Sequence, residues 1–316
     1  MTDIAKNAQP MSGSKKAARR INPIRERRRM WKTTRLAWML LLPSFIFLAM
    51  FTFYPIGYSI WMSLYKNNNA TFRTGPVYIG LKNYITLFTK DAIFTESLKN
   101  NIIVAVLTVP TSIALAIMMA IFANRVKFGK GLVRVSFFYP TLLPMVAVAN
   151  IWLFIYTPVY GMLGYINATW HFLTDPSAVL WALIVMMIWK QAGYVMVFYI
   201  SGLQNINPEL YEAARIDGAN GTQIFWRITW PMLMPTTLYV MIITMTNAFK
   251  MVDHLYIMTK GGPGNSSNML LFYVYQKAFD QTNYGMASAI TVVVIVMLLL
   301  ITCVQFFTQD KRTFYS

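Results

Sequence analysis

Few side chains in this sequence are of the types that hold a metal, attack a substrate or shuttle a proton. The two histidines, His171 and His254, are far apart in the chain and fall in expected loops, as ordinary interfacial residues. The single cysteine, Cys303, lies inside an apolar run, which excludes an intramolecular disulfide and a Cys-based metal cluster. No His-x-x-x-His pair, Gly-x-Ser-x-Gly elbow or Gly-x-x-x-x-Gly-Lys-Ser/Thr phosphate loop occurs. No residue is therefore assigned to catalysis or to a metal, and no cofactor is assigned to this chain. Energy for any driven work has to come from outside it.

Two other constellations stand out. The first is a set of polar residues inside apolar segments, where polar groups are costly and usually face a cavity or a partner. Lys190 and Gln191 lie midway through one such segment, with Tyr194 a turn further on. In another, Thr244, Asn247 and Met251 recur at three- and four-residue spacing, with Lys250 and Asp253 near its end. For Lys190, an ion pair with a neighbouring subunit or snorkelling to the interface competes with a role on a path. The in-span hydroxyls Ser59, Thr108, Thr111, Ser112 and Thr291 read as helix-packing residues.

The second constellation is the stretch 207–231. Asn207 is placed as an N-cap and Pro208 as the first helical residue, so Glu209 and Glu212 fall in the opening turns, where carboxylates suit the positive helix end. Gly218 ends that helix, and a second helix over Thr222–Ile228 is expected to close at Pro231. The loop thus becomes two short helices hinged at a glycine, a docking element.

The elements that must position these residues follow from composition. Of 316 residues 56% are hydrophobic and only 12% charged, about half the charge usual in a soluble domain, with mean hydropathy +0.46. Charge-free runs cover 36–65, 100–124, 135–174, 228–249 and 281–309, each long enough to cross a bilayer. A soluble enzyme is excluded; the fold class is all-α, a polytopic membrane protein. Six transmembrane helices are expected near Leu36–Leu64, Asn101–Ala123, Val135–Thr157, Ala178–Leu203, Pro231–Phe249 and Gly285–Phe307. In the loop 66–99, Leu81, Tyr84, Ile85, Leu87 and Phe88 suit a short amphipathic helix lying on the membrane surface. Residues 1–30 are expected to be without structure.

The net charge of +17 is not a nucleic-acid signal, because 11 of the 28 basic residues precede residue 36. With these spans, 19 Lys and Arg fall on the side of both termini and 8 on the other, which places both termini in the cytoplasm facing anionic lipid. The organisation is a basic tail 1–35, a six-helix domain 36–310 with a cytoplasmic loop 204–230, and a C-terminus 311–316.

That loop carries a family pattern. Glu212-Ala213-Ala214, three residues, Gly218, nine residues, Ile228, one residue and Trp230-Pro231 resembles the docking motif of binding-protein-dependent ABC importer permeases, with Trp230 in place of the usual Leu. Leu42-Pro43, Tyr54-Pro55-Ile56, Ile79-Gly80-Leu81-Lys82-Asn83-Tyr84 and Gly261-Gly262-Pro263 resemble the carbohydrate branch, the maltose and glycerol-3-phosphate importer permeases, of the first-partner type. The likeness covers about residues 36–310.

The resemblance implies a type I importer permease in a bacterial inner membrane, forming half of a translocation path with a second permease subunit. Two ATP-binding subunits carrying ATP and Mg, and an extracytoplasmic solute-binding protein that delivers a sugar, complete the implied assembly. Glu212 matches a position that pairs with a basic residue on the ATPase, while its alternative is helix capping alone. Gln191, Tyr194, Thr244, Asn247 and Met251 match sugar-lining positions of the maltose permease, with Lys190 and Asp253 beside them. An anionic or glycerol-phosphate-type solute is the second substrate reading. An ion-gradient-driven secondary transporter is the reading of a different class, and would be expected to show inverted repeats and no such loop.

Overall fold

The computed structural model describes residues 23–71, 73–167 and 169–310, and among them the side chains of residues 34–307. The segments 1–22 and 311–316, expected as cytoplasmic ends, lie outside the described residues. Residues up to Gly57 belong to one unit and those from Tyr58 to a second. α1 (Pro23–Leu48) leads through a π turn (Ala49–Phe53) into α2 (Tyr54–Ser63), within which the unit boundary falls, and Thr34–Ser63 is long and apolar enough to cross a membrane. Helix therefore starts at Pro23, earlier than expected. Pro23 suits a first helical position, and the Arg-rich run after it, with Glu26 and Met30, consists mostly of good helix formers.

After α2 the second unit continues with a two-residue ribbon, β1 (Tyr65–Lys66) antiparallel to β2 (Val77–Tyr78), followed by α3 (Lys82–Lys90) and α4 (Ala92–Arg125). The residues 92–99, expected as loop, are the first two turns of α4. Asp91 starts them by accepting the Phe94 amide at 3.0 Å. Helix α3 does form, but its apolar residues divide. Leu87 is fully buried in the core, while Leu81 before it, Ile85 and Phe88 stay exposed. Asn83 donates to the carbonyls of Ser63 and Tyr65, at 2.7 and 3.0 Å, and so ties the ribbon's start to α3.

The third expected span is broken. α5 (Lys130–Leu142) and α6 (Met145–Tyr156) meet at 96°. Pro144 has no amide to donate, and it holds Leu143 before it in an extended conformation. A short α7 (Met162–Ile166) precedes the straight span α8 (Val179–Gln204). Then come α9 (Pro208–Ile216), α10 (Gly221–Ile224), a π turn (Phe225–Thr229) and α11 (Trp230–Met232). The second loop helix does not close at Pro231 as expected. The wider π turn precedes this proline, and the chain bends by 66° only after Met232. Pro235, which cannot donate to the carbonyl of Pro231, sits just past the bend. The chain continues as α12 (Met234–Lys250), α13 (Asp253–Met258), α14 (Leu270–Tyr275), a π turn (Gln276–Asp280) and α15 (Tyr284–Asp310). Counting each bent pair as one span gives six.

Helices α4 and α8 form the axis of the core. Ala105, Ala116, Ala120 and Ala123 of α4 are buried, and such small side chains let helices approach closely where lipid offers no hydrophobic driving force. One apolar cluster joins α4, the second half of α8 and α12; a second joins α6, the first half of α8 and α13. A third holds α3 and the start of α4 against α14 and α15, around Leu87, Phe94, Leu270 and Ile290.

Candidate functional site

The stretch 207–231 is built as a chain of caps. Asn207 Oδ1 accepts the Glu209 amide at 3.1 Å, and Pro208 occupies the first turn of α9. Gly218, at φ +76°, ends the helix in the left-handed region. Its amide donates to the Arg215 carbonyl at 3.1 Å, and the Ala219 amide reaches back to Ala214 at 2.9 Å, the two bonds of a Schellman stop. Asn220 and Gln223 then exchange reciprocal bonds of 2.9 Å that start α10. Two helices are hinged within four residues.

No residue of α9 is buried. Glu212 and Ala213 are exposed, Ala214 and Tyr211 half-buried, and Tyr211 rests its hydroxyl 3.3 Å from Thr229 Oγ1. Leu210 is 42% and Ile216 86% exposed. An amphipathic nine-residue helix with its apolar side chains in the open fits an element made for a partner. Ile228 and Pro231 are half-buried beneath it.

The polar in-span residues divide. Lys190 is engaged by backbone: its Nζ donates to the Leu143 carbonyl at 2.7 Å and the Pro140 carbonyl at 3.2 Å. These are the carbonyls left without intrahelical donors where α5 breaks, so Lys190 caps that broken end. In a bilayer such groups need a donor from within the protein. Replacing Lys190 with methionine should lower the thermal midpoint of the purified transporter and leave the KM for solute unchanged. Each uncapped carbonyl costs about 1–3 kcal/mol. A changed KM at unchanged stability would return Lys190 to the path.

Gln191, on the same helix, turns to α12 instead. It is buried, its Nε2 lies 3.5 Å from the Thr244 carbonyl, and its Oε1 has no hydrogen-bond partner. Thr244 is fully buried and donates to the Met241 carbonyl at 3.2 Å. Tyr194 and Thr244 pack with Phe198 and Val240 around a crevice between α8 and α12 too tight to admit a water molecule. Asn247 and Met251 are half-buried along the same helix edge, and Lys250 and Asp253 are exposed where α12 gives way to α13. The structure thus brings Gln191, Tyr194 and Thr244 together, extends the seam through Asn247 and Met251, and separates Lys190 from it.

Several polar residues that sequence reasoning did not assign hold the opposite end. Asn100 donates to the carbonyls of Asn265 and Asn268, and Asn101 Oδ1 accepts the Leu270 amide at 2.8 Å. Tyr273 donates to Asp91, whose carboxylate also pairs with Lys277 at 3.7 Å. Burial first, then the hydrogen bond and charge of Asp91, push the Tyr273 phenol well above its ordinary range. The adjacent Asn-Asn pair at the head of an apolar run was the available signal. His254, expected in an interfacial loop, is instead wholly buried in α13 with neither ring nitrogen hydrogen-bonded. The loop expectation failed because the bent fifth span runs on to Met258.

Residues 112–310 match the family described as binding-protein-dependent transport system inner membrane component. The chain belongs to this family. The permease is 32% identical over 286 residues to the sn-glycerol-3-phosphate transport system permease protein UgpA of Agrobacterium fabrum, covering 89% of this chain and 97% of that protein. It is 34% identical to the probable ABC transporter permease protein YurN of Bacillus subtilis, covering 87% and 97%. With the probable starch degradation products transport system permease protein AmyD of Thermoanaerobacterium thermosulfurigenes it shares 30% identity, covering 87% and 94%. A chain of a bacterial ABC transporter involved in import of the acidic polysaccharide alginate superposes with a TM-score of 0.74 at 26% identity, over 90% of this chain and 99% of that one. The same type of transporter, bound to an alginate pentasaccharide-bound periplasmic protein, gives 0.77 at 25% identity, over 90% and 98%. The fold is that of a type I importer permease, and the permease is a membrane transport subunit, not an enzyme.

Proposed function

We propose that this permease lines half of the path by which an ABC importer takes up a carbohydrate, with a second permease subunit lining the other half. Two ATP-binding subunits, which hold ATP and Mg, grip α9 and α10 through Glu212, Ala213, Ala214 and Gly218, and Ile228 and Pro231 anchor that loop to the membrane helices. An extracytoplasmic binding protein delivers the solute. The observation that carries the reading is α9 itself, a capped, fully unburied helix bearing the family's docking pattern. The seam of Gln191, Tyr194, Thr244, Asn247 and Met251 supports a carbohydrate path, because it joins amide and hydroxyl groups to an aromatic face.

An anionic carbohydrate is the second substrate reading. The relatives that transport sn-glycerol-3-phosphate and alginate favour it, and the exposed Lys250 beside the seam is compatible with it. Lys190 lends it no support, since its ammonium is engaged by two carbonyls.

The test is the intact complex in liposomes, where the sugar-loaded binding protein should stimulate ATP hydrolysis and uptake. Failure with a panel of neutral and acidic saccharides, alongside stimulation by another solute class, overturns the carbohydrate reading. Orientation is tested separately in a Cys303→Ser background. Cysteines at Asn205 and Gln223 should resist an impermeant maleimide in intact cells, and one at Asn69 should react. The reverse pattern inverts the topology.

A further inference from the structure

Two cavities lie end to end along α4. The larger, about 1070 Å³, is walled by apolar side chains from Val109 to Ile121 on α4, by Trp226 and Trp230 beside the docking loop, and by Met241 and Phe307. The smaller, about 390 Å³, mixes the polar side chains of Asn124, Arg125, Tyr211, Arg215 and Thr229 with apolar ones such as Leu203 and Ile224. Both are bordered by Ile121 and Phe225, so the two are neighbours along α4. An apolar trough thus ends in a pocket bearing two guanidinium groups.

Neither charge is paired with a carboxylate among the described residues. The ion pairs among the described residues are Lys99–Glu96 and Lys277–Asp91, and neither involves Arg125 or Arg215. The carboxylates of Glu209, Glu212 and Asp217 on the docking loop do not line the pocket. The dimensions also match a lipid. The wall from Val109 to Ile121 runs about 18 Å along the helix at 1.5 Å per residue, close to the roughly 15 Å of one leaflet's hydrocarbon. Trp226 and Trp230 stand near the junction of the two cavities, where membrane proteins place aromatic residues at the level of headgroups. Phosphate is the anion that paired arginines recognise best, because each guanidinium offers a planar fork of donors.

We propose that this composite cavity binds one anionic phospholipid from the leaflet facing the docking loop. Its phosphate sits between Arg125 and Arg215 and its acyl chains lie in the trough along α4. The lipid bridges a membrane helix to the helix that carries Glu212. It therefore ties the docking loop to the bilayer without occupying the exposed face of α9.

The test uses the intact, delipidated transporter complex incubated with equal amounts of phosphatidylglycerol and phosphatidylcholine of matched chains, with bound lipid counted by native mass spectrometry. The wild type should retain phosphatidylglycerol over phosphatidylcholine by about tenfold, the scale of one charge-assisted hydrogen bond. The pair Arg125→Gln and Arg215→Gln should lose that preference, and Arg125→Lys with Arg215→Lys should keep most of it. Met118→Trp, which fills the trough, should reduce retention of the lipid while leaving the pocket intact. Soluble glycerol phosphate should not displace the lipid; displacement would mark a free-anion pocket and overturn the proposal. So would wild-type retention by the glutamine pair, or equal retention of both lipids. High-yield crosslinking of a cysteine at Met118 to the second permease subunit would overturn it too, because protein would then fill the trough.

Discussion

Glu212→Ala should nearly abolish uptake by the reconstituted importer while leaving the permease folded and the complex's solute-binding protein fully able to bind its sugar. The carboxylate is exposed, lies in neither ion pair among the described residues and caps nothing, since Asn207 and Glu209 already serve the start of α9. The fold of this chain therefore has no visible use for it. On the function proposed above, it faces a basic group on the ATPase. Removing one partner of a desolvated ion pair typically costs about 3–5 kcal/mol, because the other charge stays buried and unpaired. A residue that only tuned the helix end would cost about 0.3–1 kcal/mol through the helix dipole, too little to stop transport. Both uptake and sugar-stimulated ATP hydrolysis should fall together, and a charge swap with the partnering ATPase residue should restore part of each. Glu209→Ala, one turn earlier, is the control and should transport normally. Wild-type uptake with a normal ATPase response in Glu212→Ala would remove the coupling role.

How much of this was legible beforehand depends on the range of the interaction. The first helix of the loop 207–231 was legible nearly to the residue, because N-caps, a first-turn proline and a glycine stop are decided within four or five residues of sequence. Asn207, Pro208 and Gly218 do what their types suggest. The six spans were also legible, because bilayer thickness is an external ruler. The breaks were not. Composition does not distinguish a straight span over 135–157 from one folded by 96° at Leu143–Pro144, since proline is common in membrane helices when a neighbour can serve the freed carbonyls. That neighbour is Lys190, on another helix, and no local pattern announces the pairing. The same limit misplaced His254 and concealed Asn101, whose partner at Leu270 is distant in sequence. The seam between α8 and α12 was partly legible. Gln191 and Thr244, picked out as polar residues in apolar runs, meet across two helices, but the neighbouring Lys190 points elsewhere.

The same helix crossing yields the largest structural effect. Gly193 lies where α8 meets α5, and a Cβ built there falls 2.1 Å from the Phe137 carbonyl oxygen. That obstacle is backbone, so it cannot rotate away as a side chain can. Gly193→Leu should therefore fail to yield assembled transporter from membranes, and Gly193→Ala should assemble with a clearly lowered thermal midpoint. Inserting bulk into a packed core typically costs about 1–3 kcal/mol, and here the strain falls next to a site that tolerates little movement. Lys190 is one turn of α8 away, with its ammonium on the Pro140 and Leu143 carbonyls. Pushing α5 outward to admit a methyl group would pull those carbonyls from their only described donor and shift Gln191 and Tyr194 with them. Gly202, on the same helix, is the informative contrast. A Cβ there meets the ends of the Leu233 and Thr236 side chains at 2.8 and 2.9 Å, which can yield by changing rotamer. Gly202→Ala should consequently lower the midpoint much less than Gly193→Ala. If the two alanine variants melt together, or Gly193→Ala transports and melts as the wild type does, α5 and α8 do not approach as closely as this geometry requires, and Lys190 loses its place at the break.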